Sequence, residues 1–260
     1  YFLSNTSNIK VLFNHAPERS PIDLILDGDL VNSSATQNTT ISNFNNLGKN
    51  IKEIELWLPQ FGDFMLTGIE IDEDAELLSG DGPHLPKWIT YGSSITQCRH
   101  AKSPTKTWPA IVSMEREYDL RCLGFGGQCH LDPMIAILIR DSDADLISLC
   151  LGINIYGANS LNKRTFYTGI LVFIKIIREK HKKTPIVLIS PIYSPTRETN
   201  LNAVGFNLQQ MRKDIFNAAN TFNVNGDKNI SYINGLNLIS KSDVDYLPDG
   251  LHPNNSGYEI

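Results

Sequence analysis

The stretch WITYGSSITQC, residues 88–98, joins two kinds of backbone. Trp88, Ile89 and Thr90 favour a strand, Tyr91 leads into Gly92 and the adjacent Ser93 and Ser94, and the run that follows can open a helix. A strand that passes through small polar residues into a helix is the first half of a β-α unit. Taken alone, a serine at this junction reads better as a helix cap than as a nucleophile, because Ser is among the residues most favoured at N-caps. The functional reading is a hydroxyl held at a helix N-terminus, where backbone amides can also stabilise an oxyanion.

Reading on toward the C-terminus, strand-like and helix-like runs alternate. WPAIVSMEREY, DPMIAILIRDSD and segments near 165–181 and 201–221 read as amphipathic helices, and DLRCLGF, ADLISLCLG, PIVLISPI and ISYING read as strands between them. This β-α-β-α order predicts a parallel sheet with helices on both faces. Ligands of such sheets bind at the carboxyl ends of the strands. The loops to inspect are therefore GSSIT, GFGGQCH, GINIYG, SPIYSPTRE and DYLPDGLHPNNSGY.

Toward the N-terminus the pattern changes. Residues 1–83 hold short β-type runs (IKVLFNH, PIDLILDG, IKEIELWLP, FMLTGIEID) separated by Gly, Pro, Asn and Asp, which predicts a small all-β domain, a sandwich or jelly-roll. In IKEIELWLP, Ile51, Ile54, Leu56 and Leu58 are expected mostly on one side. The segment VNSSATQNTTISNFNN reads as a polar loop or poorly ordered insertion, and the breaker-rich SGDGPHLPK as a connector to the second domain, residues 84–260. Charge divides the same way: four Lys or Arg against thirteen Asp or Glu in residues 1–83, and nineteen against fifteen in residues 84–260. A net +4 spread over the larger part is not a nucleic-acid footprint.

Other classes are set aside on composition. The apolar runs fall well short of the roughly 18–20 residues a spanning helix needs, so no membrane span is expected. Cys98, Cys122, Cys129 and Cys150 lack metal-type spacing, and buried reduced thiols are the expectation, with no metal and no cofactor. Such thiols and the lack of a visible secretion signal point to the cytoplasm, while an N-terminus without Met leaves a trimmed, secreted form open. The sequons at Asn5, Asn32, Asn38, Asn229 and Asn254 are of a kind an Asn-rich chain produces by chance. Lys175, Arg178, Lys180, Lys182 and Lys183 read as a solvated helix C-terminus.

Chemistry gathers in the loops. Asp249 and His252 lie three residues apart in a Gly/Pro-bounded turn and can supply the base, and the carboxylate that orients it, for a nucleophilic serine; alone, they read as an Asp-stabilised turn. Gly127 and Asn154 sit on two further loops as candidate donors to an oxyanion, each equally readable as turn chemistry.

Four segments together resemble a family. YGSSIT is similar to the first block of the SGNH hydrolases, or GDSL esterases and lipases, LGFGGQ to their glycine block, LGIN to the third block and DGLHP to the last, in family order over residues 86–260. The all-β leader resembles that of a subgroup in which a β-sandwich precedes the hydrolase domain. The resemblance implies a flavodoxin-like three-layer α/β/α sandwich and a metal-free serine esterase. It implies Ser94 as nucleophile, His252 as base and Asp249 as orienting carboxylate, with an oxyanion hole of the Ser94 and Gly127 amides and the Asn154 side chain. Two positions depart from the pattern: Ser93 and Ile155 stand where the family has Asp.

The expected reaction is hydrolysis of a carboxylic ester, with a short acyl group on a sugar or other polar alcohol as the substrate. Acyl transfer to another alcohol through the same acyl-enzyme is a close alternative. A non-catalytic carbohydrate-binding protein, with the β domain as its active part, is the alternative from another class. Arg99, His100, His130 and Tyr156 adjoin the blocks and are candidate pocket residues. The chain runs out at GYEI, which reads as the start of a final helix.

Overall fold

A computed structural model describes residues 1–79 and 84–260, so residues 80–83 of the expected connector lie outside the described residues. Contacts divide the chain into two units, Tyr1–His84 with Ala101–Ala110, and Leu85–His100 with Ile111–Ile260.

The first unit is built from β1 (Phe2–Ser4), β2 (Ile9–Phe13), β3 (Ile22–Leu26), β4 (Asp29–Ser34), β5 (Ile41–Phe44), β6 (Lys52–Trp57), β7 (Leu66–Ile71) and β8 (Leu77–Leu78). They form two antiparallel sheets, ordered β4-β3-β6-β1-β8 and β5-β2-β7. Period-2 alternation turns Ile9, Val11, Phe13 and Phe44 of one sheet and Ile22, Leu24 and Ile54 of the other into one buried core, which makes a sandwich.

Two local expectations are corrected here. Residues 31–46 are no insertion, because they carry most of β4 and all of β5. The reason they read as loop is physical: β4 is an edge strand with exposed side chains, so no apolar alternation marks it, and β5 buries only Ser42 and Phe44. In β6 the inward series is Lys52, Ile54 and Leu56, whereas Ile51 and Leu58 are exposed. Lys52 is tolerated inside because its ammonium donates to the carbonyls of Gly48 (3.0 Å) and Asn50 (2.9 Å), while burial lowers its pKa. On the outer face of β3 the buried Asp23 accepts from the amide (3.0 Å) and hydroxyl (2.6 Å) of Thr105, which ties Ala101–Ala110 to this unit.

The second unit follows β9 (Lys87–Gly92), α1 (Ser94–Gln97), α2 (Trp108–Arg116), β10 (Asp119–Gly124), α3 (Pro133–Arg140), β11 (Leu146–Cys150), α4 (Ile153–Ala158), α5 (Lys163–Arg178), β12 (Ile186–Ile189), α6 (Leu208–Val224) and β13 (Ile230–Ile233); the first residues of α2 count with the first unit. The five strands are all parallel and ordered β10-β9-β11-β12-β13, which is the flavodoxin-like arrangement. Ile89 and Tyr91 of β9 and Ile147 and Leu149 of β11 face a core with Phe166, Phe173 and Ile177 of α5 and Met211 and Ile215 of α6. The intervening Trp88, Thr90 and Ser148 face the other way and are joined by hydrogen bonds. The helix expected near 201–221 begins only at Leu208, because Asn207 caps it by accepting from the Gln210 amide. Residues Ser256–Tyr258 form a 3₁₀ turn that buries Tyr258. No helix among the described residues is long and apolar enough to cross a membrane.

In this strand order the direction of winding reverses between β9 and β11. The crevice above their carboxyl ends is where such a sheet leaves room for a ligand.

Candidate active site

The adjacent Ser93 and Ser94 have different surroundings. Ser93 is buried and extended, and its hydroxyl accepts from the Ile95 amide at 3.2 Å, so it caps α1. Ser94 is the first residue of α1 and half-buried, and its Oγ lies 2.8 Å from His252 Nε2. On the other side of the ring, His252 Nδ1–H donates to Asp249 Oδ2 at 2.6 Å. That bond leaves Nε2 as the acceptor for the Ser94 hydroxyl proton.

Asp249 shapes its own loop. Its second oxygen accepts from the amides of Leu251 (2.9 Å) and His252 (2.7 Å), so the carboxylate that orients the ring also folds the turn carrying it. Partial burial acts to raise its pKa, but the bonds from the His252 ring and from the two amides outweigh that and hold it at about 2. The carboxylate is therefore ionised at neutral pH and faces the imidazole as an anion.

The glycine loop after β10 and the start of α4 complete the surroundings. Gly127 has φ +73°, a conformation that L side chains rarely adopt, in a turn closed by the Gln128 amide on the Phe125 carbonyl (3.1 Å). Gly126 passes close to α1: a Cβ there would meet Gln97 Oε1 at 2.6 Å and lie 3.7 Å from Ser94 Cβ. Asn154 Oδ1 accepts from the Cys129 amide (3.1 Å), which fixes the side chain and leaves Nδ2 unspent. Among the described residues the amides of Ser94 and Gly127 and Asn154 Nδ2 have no protein acceptor. Three uncommitted donors on the loops that adjoin the serine can serve a developing negative charge.

The four adjoining candidates fare differently. His100 is exposed, with its ring centroid 5.6 Å from that of His252. Arg99 is exposed on the same segment. His130 braces the glycine loop, because Nε2–H donates to the Gly127 carbonyl (3.0 Å) and Nδ1 accepts from Ser160 (2.9 Å). The Tyr156 hydroxyl donates to the Asn200 carbonyl (3.2 Å), and the residue lines a cavity beyond α4.

The two departures from the expected motif have local explanations. Ser93 supplies a cap, and Ile155 is wholly buried in the main core, so the residue next to Asn154 anchors α4 by packing. Burial pushes the thiols of Cys129 and Cys150 up to about 12, which keeps those two protonated at neutral pH. Cys122 corrects the expectation of uniformly buried thiols, since it lies exposed on β10, the edge strand. No group of three or more His, Cys, Asp or Glu among the described residues is placed to hold a metal ion.

Ser194 and Arg197, in the loop after β12, were not legible in the sequence. Ser194 Oγ donates to the Gly250 carbonyl at 2.6 Å, and Arg197 Nη1 donates to Ser194 Oγ (3.0 Å) and reaches the same carbonyl at 3.5 Å. These contacts hold the turn between Asp249 and His252 from a loop more than fifty residues away, and SPTRE carries only ordinary turn residues as a signal.

Comparison with known proteins identifies the family and the fold. The GDSL-like lipase/acylhydrolase family matches residues 87–259. Among solved structures, a salicylyl-acyltransferase from a tetracycline biosynthetic pathway is 30% identical, with TM-score 0.89 over 99% of this chain and 77% of that one. A putative GDSL-like lipase from Bacteroides ovatus is 24% identical (TM-score 0.82, 99% and 79% covered). A family two carbohydrate esterase from Clostridium thermocellum, an active-site mutant crystallised with an oligosaccharide, is 15% identical (TM-score 0.78, 99% and 86% covered) and shares the fold. No curated protein sequence matches. With the family match spanning two thirds of the chain and the fold shared along its length, the chain belongs to the GDSL-like lipase/acylhydrolase family and is an ester-hydrolysing or acyl-transferring enzyme.

Proposed function

We propose that the protein is a serine esterase that hydrolyses a carboxylic ester through an acyl-enzyme, with Ser94 as nucleophile, His252 as base and Asp249 as its orienting carboxylate. The observation that carries the reading is the continuous hydrogen-bonded line from Ser94 Oγ through His252 to Asp249, with links of 2.8 and 2.6 Å.

The steps follow from the donors and acceptors. As Ser94 Oγ attacks the ester carbonyl, its proton passes to His252 Nε2, and the Asp249 carboxylate stabilises the imidazolium through Nδ1–H. The carbonyl oxygen becomes an oxyanion and accepts from the Ser94 and Gly127 amides and Asn154 Nδ2. Collapse expels the alcohol, which takes the proton from Nε2, and leaves the acyl group on Ser94. Water then repeats the sequence: His252 takes its proton, its oxygen attacks the acyl carbon, and Ser94 regains the proton as the acid departs.

A second reading keeps the acyl-enzyme and replaces water by an acceptor alcohol. The 30% identical structure, a salicylyl-acyltransferase, favours it. The two differ in how well the acyl-enzyme excludes water. A short acyl group on a sugar or other polar alcohol remains the substrate proposed here.

The test is turnover of 4-nitrophenyl acetate by the wild-type chain, Ser94→Ala and Ser93→Ala. Ser94→Ala abolishes release of 4-nitrophenol while Ser93→Ala retains it at reduced stability; the opposite pattern overturns the assignment. Adding glycerol or a monosaccharide and measuring acetylated alcohol against free acetate separates transfer from hydrolysis.

A further inference from the structure

The guanidinium of Arg197 is only partly used by the protein. Nη1 is committed to Ser194 Oγ (3.0 Å), Thr196 Oγ1 (3.3 Å) and the Gly250 carbonyl (3.5 Å). Among the described residues, Nε and Nη2 have no acceptor and the side chain forms no ion pair, although the residue is half-buried. The other buried or half-buried arginines of this unit are neutralised. Arg178 sets Nε and Nη2 against Asp227 (2.7 and 3.3 Å), Arg140 sets the same edge against Asp141 (2.9 and 3.1 Å), and Arg212 pairs with Glu198 (2.6 Å). The edge that binds carboxylates twice elsewhere in this molecule is left open at Arg197.

Arg197 also lines a cavity of about 430 Å³. Tyr156 and Asn159 of the α4 segment and Thr196 and Arg197 of the loop after β12 line it, and none of the residues lining it is acidic. Asn159 Oδ1 is spent on the Ala203 amide (2.9 Å), which leaves its Nδ2 as a further donor. Two lining residues lie close to the candidate active site along the chain or by a hydrogen bond: Tyr156 is two residues from Asn154 on α4, and Arg197 reaches the carbonyl of Gly250, next to Asp249, at 3.5 Å. Both walls rise from loops at the carboxyl ends of β11 and β12, the side of the sheet that carries Ser94.

We propose that this cavity is a subsite for a carboxylate on the substrate, bound side-on by Arg197 Nε and Nη2 and supported by Asn159 Nδ2. A planar two-oxygen anion matches the fork geometry of a guanidinium edge that no protein group among the described residues occupies. The proposal deepens the ester-hydrolase reading and rests on it: the ester turned over at Ser94 carries a free acid on its acyl or its alcohol part.

The experiment compares kcat/KM within matched pairs of acidic and neutral esters. Monoethyl succinate against ethyl butyrate places the acid on the acyl side, and acetoxyacetate against ethyl acetate places it on the alcohol side. The wild-type enzyme is expected to prefer the acidic member of one pair, and Arg197→Gln to reduce that preference roughly 10- to 100-fold, the range of a lost charged hydrogen bond, with Arg197→Lys between them. The ratio within a pair cancels any general loss from disturbing Gly250. A preference that Arg197→Gln leaves unchanged in both pairs overturns the subsite. Binding of monoethyl succinate and acetoxyacetate to Ser94→Ala, followed by NMR, needs no turnover. Arg197-dependent binding without hydrolysis by the wild-type chain sinks the esterase reading and keeps the subsite; hydrolysis with binding indifferent to Arg197→Gln does the reverse.

Discussion

Replacing Asp249 by Asn tests the orientation of the imidazole with little disturbance of the fold. Oδ1 of Asp249 holds the amides of Leu251 and His252 at 2.9 and 2.7 Å, so the carbonyl of the new amide keeps that position. Its NH₂ then faces His252 Nδ1, where the carboxylate oxygen stood at 2.6 Å. A donor facing a donor is unfavourable, so the ring moves its proton to Nε2 and can no longer accept from Ser94. A serine nucleophile left without its base in the right tautomer loses about 10³- to 10⁴-fold in kcat, about 4–5.5 kcal/mol of transition-state stabilisation. The Asp249 side chain is 51% exposed, which lets water compete for Nδ1 and places the expected loss nearer 10³. The assay is kcat for 4-nitrophenyl acetate near neutral pH, run beside thermal unfolding. A variant that stays folded at the assay temperature and keeps kcat within tenfold of wild type refutes the tautomer argument.

Asn154→Ala removes an oxyanion donor and should lower kcat by about 10²- to 10³-fold. Asn154→Asp keeps an acceptor for the Cys129 amide and should lose at least as much, which steady-state kinetics on the pair will distinguish from a packing defect. The Asp249 carboxyl is held at about 2 in the folded chain against an ordinary 3.8, so its contribution to stability is present above the ordinary value and is lost as pH falls through about 2. Urea midpoints of wild-type and Asp249→Asn chains should therefore converge between pH 4 and pH 2. Phe166→Ala, at a fully buried ring packed edge-on against Phe206 with centroids 5.5 Å apart, should cost about 3–5 kcal/mol by denaturant unfolding.

How far the sequence carried depended on whether the determining contacts were local. Ser94, Asp249 and His252 could be singled out in the sequence because each sits in a short run of turn residues, and their order along the chain matched the resemblance. The parallel sheet was legible for the same reason, since β9, β11 and β12 are apolar runs bounded by breakers. Ser93 was ambiguous in sequence because capping and nucleophilic serines look alike, and only the bond to the Ile95 amide separates them. The inward Lys52 and the edge strand Asp29–Ser34 were misread because alternation reports burial, and here a lysine is solvated by carbonyls and a strand buries almost nothing. Ser194 and Arg197 were invisible because their partner is one carbonyl, that of Gly250, brought to them by the sheet.

The central claim, that Ser94 and not its neighbour is the activated hydroxyl, is tested most directly by a fluorophosphonate probe followed by peptide mass spectrometry. The expected result is a single adduct on Ser94, retained in Ser93→Ala and absent from Ser94→Ala and, at matched exposure, strongly reduced in His252→Ala. An adduct on Ser93, or labelling that survives Ser94→Ala, would contradict the account.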